Sequence, residues 1–199
     1  MFRSAAIHHA LPLVLLSGCY GAPVETSICT PRNVAEVALA GDWVATDPQE
    51  RQWRLRLERK GVGLFNLELT GADKDDTERY QGQLCVARVN RAELASVRME
   101  FSSRYFLYKL TDKGKDGYDA SAFAADDDQD ISPDVEKLLR QASKKAKIQC
   151  ERPFLNDGRC QSRYLSVSQE ELARIATAAQ GVSLWKPMFR LARERSGEK

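Results

Sequence analysis

Histidine is the side chain most often used as a general base or metal ligand near neutral pH, and this chain has it only at His8 and His9. Both precede the apolar run Ala10–Leu16. Five cysteines follow, Cys19, Cys29, Cys85, Cys150 and Cys160. None forms a Cys-x-x-Cys pair, which argues against redox catalysis, and their spacing does not match a zinc site. Carboxylates are plentiful, but no pair stands out as an acid and base for glycoside hydrolysis. Asp126, Asp127, Asp128 and Asp130 invite a calcium reading. The loop pattern fails, because Ile131 stands where glycine is needed and Lys137 where glutamate is needed. The cluster reads instead as a solvated acidic loop ahead of a helix N-terminus. No glycine-rich phosphate loop or dinucleotide fingerprint is present. The chemistry expected is therefore binding rather than catalysis, with no cofactor and no metal.

The N-terminus carries a more specific pattern. Arg3 precedes the apolar run, and Leu16-Ser17-Gly18-Cys19 closes it with small residues. A basic start, a short apolar core and small residues mark an export signal rather than a transmembrane helix. Leu16-Ser17-Gly18-Cys19 resembles the lipobox of bacterial lipoproteins. The resemblance implies removal of residues 1–18 and acylation of Cys19, which becomes the first residue of the mature chain. That mature chain holds no histidine, which excludes Ser-His-Asp and Cys-His catalysis. In some bacteria of the family an Asp after the cysteine favours inner-membrane retention; Tyr20 stands there instead, so the resemblance implies sorting to the outer membrane, facing the periplasm, with the inner membrane as the alternative. The bacterial membrane is then a partner through the lipid anchor. The plainer alternative is an ordinary signal peptide that leaves Cys19 as a disulfide partner.

With Cys19 acylated, four cysteines remain in an oxidising compartment, with three possible pairings. Cys150–Cys160 is favoured because Asn156-Asp157-Gly158 provides a turn between them. Cys29–Cys85 follows by elimination. Lys and Arg number 30 against 28 Asp and Glu, a net charge of +2. This balance excludes a strongly basic nucleic-acid binder, so no nucleic-acid partner is expected.

Periodicity supplies the elements that position these residues. Trp53, Leu55 and Leu57 alternate with polar residues over 52–58, one face in and one out. The same period of two runs through Phe65, Leu67 and Leu69 in 62–70 and through Ala95, Val97, Met99 and Phe101 in 94–101. In 80–89, Leu84 and Val86 share one side, Cys85 and Ala87 the other. Strands are also expected at 104–110, 118–124, 161–167 and 188–193. Ser132-Pro133 opens a helix that runs to Lys147. Ser168 and Glu171 form a capping box for a second helix, ended by Gly181. The expected fold is α+β: an antiparallel β-meander or half-barrel with two helices in the C-terminal half. The expected divisions are a signal peptide (1–18), a lipid-anchored tether (19–40), one α+β domain (41–195) and a tail (196–199).

Six aromatic residues, Trp43, Trp53, Phe65, Phe101, Phe106 and Tyr108, fall at inward positions. They either fill a core or line a ligand cavity inside a curled sheet. Arg51, Arg54, Arg56, Arg59 and Lys60 make a basic stripe, which reads as a solvated face or as a contact for anionic lipid. Gly41-Asp42-Trp43 resembles the Gly-x-Trp start of lipocalins. Thr111-Asp112 lies where that family's second motif falls, with Lys113 replacing its aromatic residue, and the helix at 133–147 departs from its eight-strand plan. Ser102-Ser103-Arg104-Tyr105 resembles the Ser-Gly loop of small lysozyme-inhibitor lipoproteins, without the glycine. As a whole the chain resembles bacterial envelope lipoproteins. The functional expectation is a membrane-anchored, non-enzymatic lipoprotein that binds an envelope protein or plays a structural part. The alternatives are a lipocalin-like carrier of a small apolar ligand and, third, a carboxylate hydrolase.

Overall fold

The computed structural model describes residues 22–71, 79–123, 133–151, 162–178 and 184–194. Its elements run β1 (Pro23–Val24), β2 (Gly41–Thr46), β3 (Gln52–Gly61), β4 (Leu64–Gly71), β5 (Arg79–Val89), β6 (Ala92–Met99), β7 (Tyr105–Asp112) and β8 (Tyr118–Phe123). Then come α1 (Pro133–Ala142), β9 (Lys147–Glu151), β10 (Ser162–Ser166), α2 (Gln169–Ala178) and β11 (Trp185–Arg193).

The meander closes on itself. β2 to β8 pair in sequence as antiparallel neighbours. β11 then enters between β8 and β2, antiparallel to both. The result is an eight-stranded antiparallel barrel, so the expected half-barrel is a complete one and the fold is mostly β. Closure leaves these strands without free edges. The alternation read from the sequence sets which side chains face inward. Leu55 and Leu57 of β3, Phe65 and Leu67 of β4, and Leu84 and Val86 of β5 share the interior core. Ala87 and Val89 point outward.

A second core lies against the outer wall. The chain leaves the barrel after β8 and returns at β11. In between, Leu139 of α1 and Leu172, Ile175 and Ala176 of α2 pack on Ala87, Leu94 and Leu107 of the barrel's outer face. Ser168 caps α2 as expected, its Oγ accepting the Glu171 N–H at 3.3 Å. β1 joins the two layers. It pairs with the start of β7, at Pro23↔Phe106 and Val24↔Tyr105, and with β10, at Val24↔Leu165.

Three expectations need correction. The described part of the presumed tether, 22–40, is built into the fold: Val24 and Ile28 are completely buried, and the Ile28 N–H donates to the Ser96 hydroxyl at 2.9 Å. The first helix stops at Ala142, and Lys147–Glu151 is instead an edge strand paired with β10. Its lysine-rich sequence continues the helical charge pattern, which hid a short strand of the kind that commonly carries charge. The last strand begins at Trp185, because a bulge between Pro187 and Phe189 absorbs the proline.

Candidate functional site

Among the described residues, chain covers one end of the barrel, the sealed end, and leaves the other, the open end, uncovered. The sealed end holds the β3–β4, β5–β6 and β7–β8 turns. Residues 34–40 cross it before entering β2. Val34 bridges Ala87, and the Ala35 N–H donates to Val86 O at 2.9 Å. Ala35, Val37 and Leu39 turn inward and are buried. Four successive carbonyls of this plug are then taken by side chains. Arg59 donates to Val37 O at 3.1 Å. Arg193 donates to Ala38 O at 2.7 Å and to Ala40 O at 2.5 Å. The Trp43 indole donates to Leu39 O at 2.8 Å. Arg193 also lies over the Trp43 ring, 4.0 Å from its centroid, and Tyr118 meets the same ring edge-on at 5.8 Å. Gly63, at φ 59°, leaves room for the plug, since a Cβ there would lie 2.5 Å from Ala35 O.

A disulfide joins Cys29 to Cys85, fastening the stretch before the plug to the outer face of β5. The side-chain amide of Gln169, the first residue of α2, donates to the carbonyls of Ser27 and Cys29. Cys150 is disulfide-bonded as well. Its expected partner Cys160, and Cys19, lie outside the described residues, as does the acidic run 126–130.

The open end is different. Trp53, Leu69, Tyr80, Val97 and Phe189 face inward there but are only partly buried. Below them lies a cavity of about 110 Å³. Leu55, Leu67, Leu84, Met99, Leu110 and Leu191 form much of its wall. Ala45, Ala95 and Ala120 leave the space that larger residues would fill. Only the Trp53 indole and the Tyr108 hydroxyl bring hydrogen-bonding groups to the lining, and no charged side chain contributes. Trp53 and Phe189 meet edge-on at 6.1 Å across the mouth. Phe189 faces inward in step with Leu191, and the bulge before it shifts the register of the strand toward Pro187.

The six aromatic candidates therefore divide. Trp53, Phe106 and Tyr108 line the cavity. Trp43 and Phe65 share the interior core but sit in the sealed end. Phe101 does not line it: it lies beyond the end of β6, 60% exposed, edge-on to Tyr80. The alternation had already placed Leu55, Leu67, Leu69, Val97 and Met99 on the inner face. Phe189 falls inside the expected strand 188–193 but is not among the six candidates, because the short run after Pro187 does not show which of its faces points inward.

Four arginines of the basic stripe are matched by carboxylates. Arg51 pairs with Asp47 at 2.7 Å, Arg54 with Glu194 at 3.8 Å, Arg56 with Asp42 at 3.9 Å and Arg59 with Glu36 at 3.3 Å. Burial raises the Tyr118 hydroxyl above its ordinary pKa, helped by Asp112 and Glu93 and opposed by Arg193. Lys113 is raised by its hydrogen bond and ion pair with Asp119, at 2.9 Å. Among the described residues, no group of three or more His, Cys, Asp or Glu is placed to hold a metal, and no helix is long and apolar enough to cross a membrane.

Compared with known proteins, the chain matches no family model, no curated protein and no solved structure. What the described residues offer chemically is an apolar chamber lined by no charged side chain, with aromatic side chains at its mouth.

Proposed function

We propose that this protein is a lipid-anchored carrier of the bacterial envelope whose barrel lumen takes a small, uncharged, apolar ligand. The observation that carries this reading is the 110 Å³ cavity lined by aliphatic and aromatic side chains. A void that offers water few hydrogen-bonding groups is filled favourably by an apolar guest. Cavities of roughly 150 Å³ with comparable linings stay dry and take benzene or xenon. Size then narrows the ligand class to a single ring or a short alkyl group. A long acyl chain exceeds it. With no carboxylate, amine or thiol in the lining, the chamber is suited to holding a ligand and not to transforming one. The anchor half of the reading rests on Leu16-Ser17-Gly18-Cys19 and the apolar run before it.

Calorimetric titration with toluene tests the lumen. Saturable one-to-one binding is expected, with hexadecanoate failing to compete. Ala120→Leu, which fills the chamber from β8, should weaken toluene at least about tenfold while leaving the fold intact, since each added buried methylene brings about 0.8 kcal/mol of apolar contact. Binding that Ala120→Leu leaves unchanged would remove the lumen as the site. Intact mass of protein made in a bacterial host tests the anchor. Acyl additions on a chain beginning at Cys19 are expected, and an unacylated mass would end that half of the reading.

A further inference from the structure

We infer that the open end of the barrel docks on the lipid bilayer, so that the lumen opens onto the membrane surface. This rests on the lipid-anchor reading and extends it to an orientation.

The first observation is where the described chain starts. The Ala22 N–H donates to Phe123 O at 2.8 Å, at the open-end terminus of β8. Pro23 lies opposite Phe106, the second residue of β7. Cys19 is three residues before Ala22, a link of at most about 11 Å when fully extended. From Phe106 to Asp112, where β7 reaches the sealed end, six strand residues cover about 15 Å along the barrel axis at a tilt of ~40°. An acylated Cys19 can reach the plane of the open end but not that of the sealed end.

The second observation is what the open end presents. Phe101 is 60% exposed there, beside Tyr80, and Trp53 and Phe189 rim the mouth. Aromatic side chains of this kind partition into the bilayer interface. The sealed end also has exposed apolar residues, Val62 at 58% and Leu64 at 44%. The short link to the anchor decides between the two ends. Among the described residues at the open end, Arg51 is paired with Asp47, Arg79 with Glu68 and Arg190 with Glu50. Insertion of aromatic side chains needs no anionic headgroup, so the contact is expected on zwitterionic lipid. A ligand that partitions into the membrane then meets the mouth without crossing water.

The test uses the full chain, purified from a bacterial host and placed in phosphatidylcholine vesicles whose acyl chains carry bromine, a contact quencher of indole emission. Phe101→Trp and Val62→Trp put a reporter at each end, and both positions are exposed, so both variants should fold. Relative to the unsubstituted chain, the added emission of Phe101→Trp should be blue-shifted and quenched about twofold or more, independent of salt, and that of Val62→Trp unquenched. Equal quenching, or quenching of Val62→Trp alone, overturns the orientation while leaving the anchor. An unacylated intact mass in the same sample overturns it through the anchor itself, so the two failures are told apart.

Discussion

At the sealed end of the barrel Trp43, Leu57 and Phe65 are no more than 2% exposed. At the open end Trp53, Leu69 and Phe189, inward residues of the same sheet, remain half-buried. Residue type does not explain this difference. Both ends are built from alternating strands with aromatic and leucine side chains on the inner face. What differs is a length of chain. Residues 34–40 lie across one end and have their carbonyls satisfied by Arg59, Trp43 and Arg193. The open end has no counterpart of this plug among the described residues. A closed barrel becomes a container when one mouth is sealed by backbone whose polar groups are accounted for.

The largest contrast should come from the two tryptophans. Trp43→Ala removes a fully packed indole and its bond to the plug, and should cost about 3–5 kcal/mol of stability. Trp53→Ala should cost less than half as much, because that ring is already partly in water. Urea denaturation of both variants measures the difference, and equal losses would erase the distinction between the ends. Next in size is the disulfide. Cys29 and Cys85 are 56 residues apart, and opening a loop of that length should cost about 4 kcal/mol in the chain-entropy model. The double substitution Cys29→Ser, Cys85→Ser should also loosen the plug. Acrylamide should then reach Trp43 sooner than in the parent, with Trp53 little changed.

Arg193→Met should have a smaller effect, about 1–2 kcal/mol, from losing two charged hydrogen bonds to the plug. Toluene affinity should hardly move, because Arg193 is remote from the lumen; a large loss of affinity would mean that the two ends are coupled. The smallest effect concerns alkaline pH. The Tyr118 hydroxyl is raised in the folded protein, chiefly by burial. Its contribution to stability is complete below pH 10, the unfolded value, and is lost as pH rises through the folded value, because the unfolded chain ionises first. Tyr118→Phe should flatten this alkaline decline, visible as a denaturation midpoint less dependent on pH above 10.

Much of the barrel was legible in the sequence, since the period of two through Trp53, Leu55 and Leu57 or Ala95, Val97 and Met99 is what a wall with one wet face requires. The Ser168 cap and the Cys29–Cys85 pair were legible too, the first from local chemistry and the second from parity. The plug was not. Ala35, Val37 and Leu39 do alternate, but the partners that fix them, Arg59 and Arg193, are far away in sequence, and nothing local identifies them. Phe101 misled for a related reason. It continues the alternation of β6 one step beyond the last paired residue, where the chain has already begun to turn. The cavity depends on three alanines from three strands, Ala45, Ala95 and Ala120, that line the same space. Only the register of the closed barrel brings them together.

The central claim is that the lumen is a binding chamber for a small apolar molecule. A crystal of the protein under xenon pressure tests it most directly. The account predicts xenon density among Leu55, Met99, Tyr108 and Ala120, with no displacement of the sealed end. A lumen without xenon, its side chains collapsed into the space, would contradict it and leave a barrel that is simply a packed core.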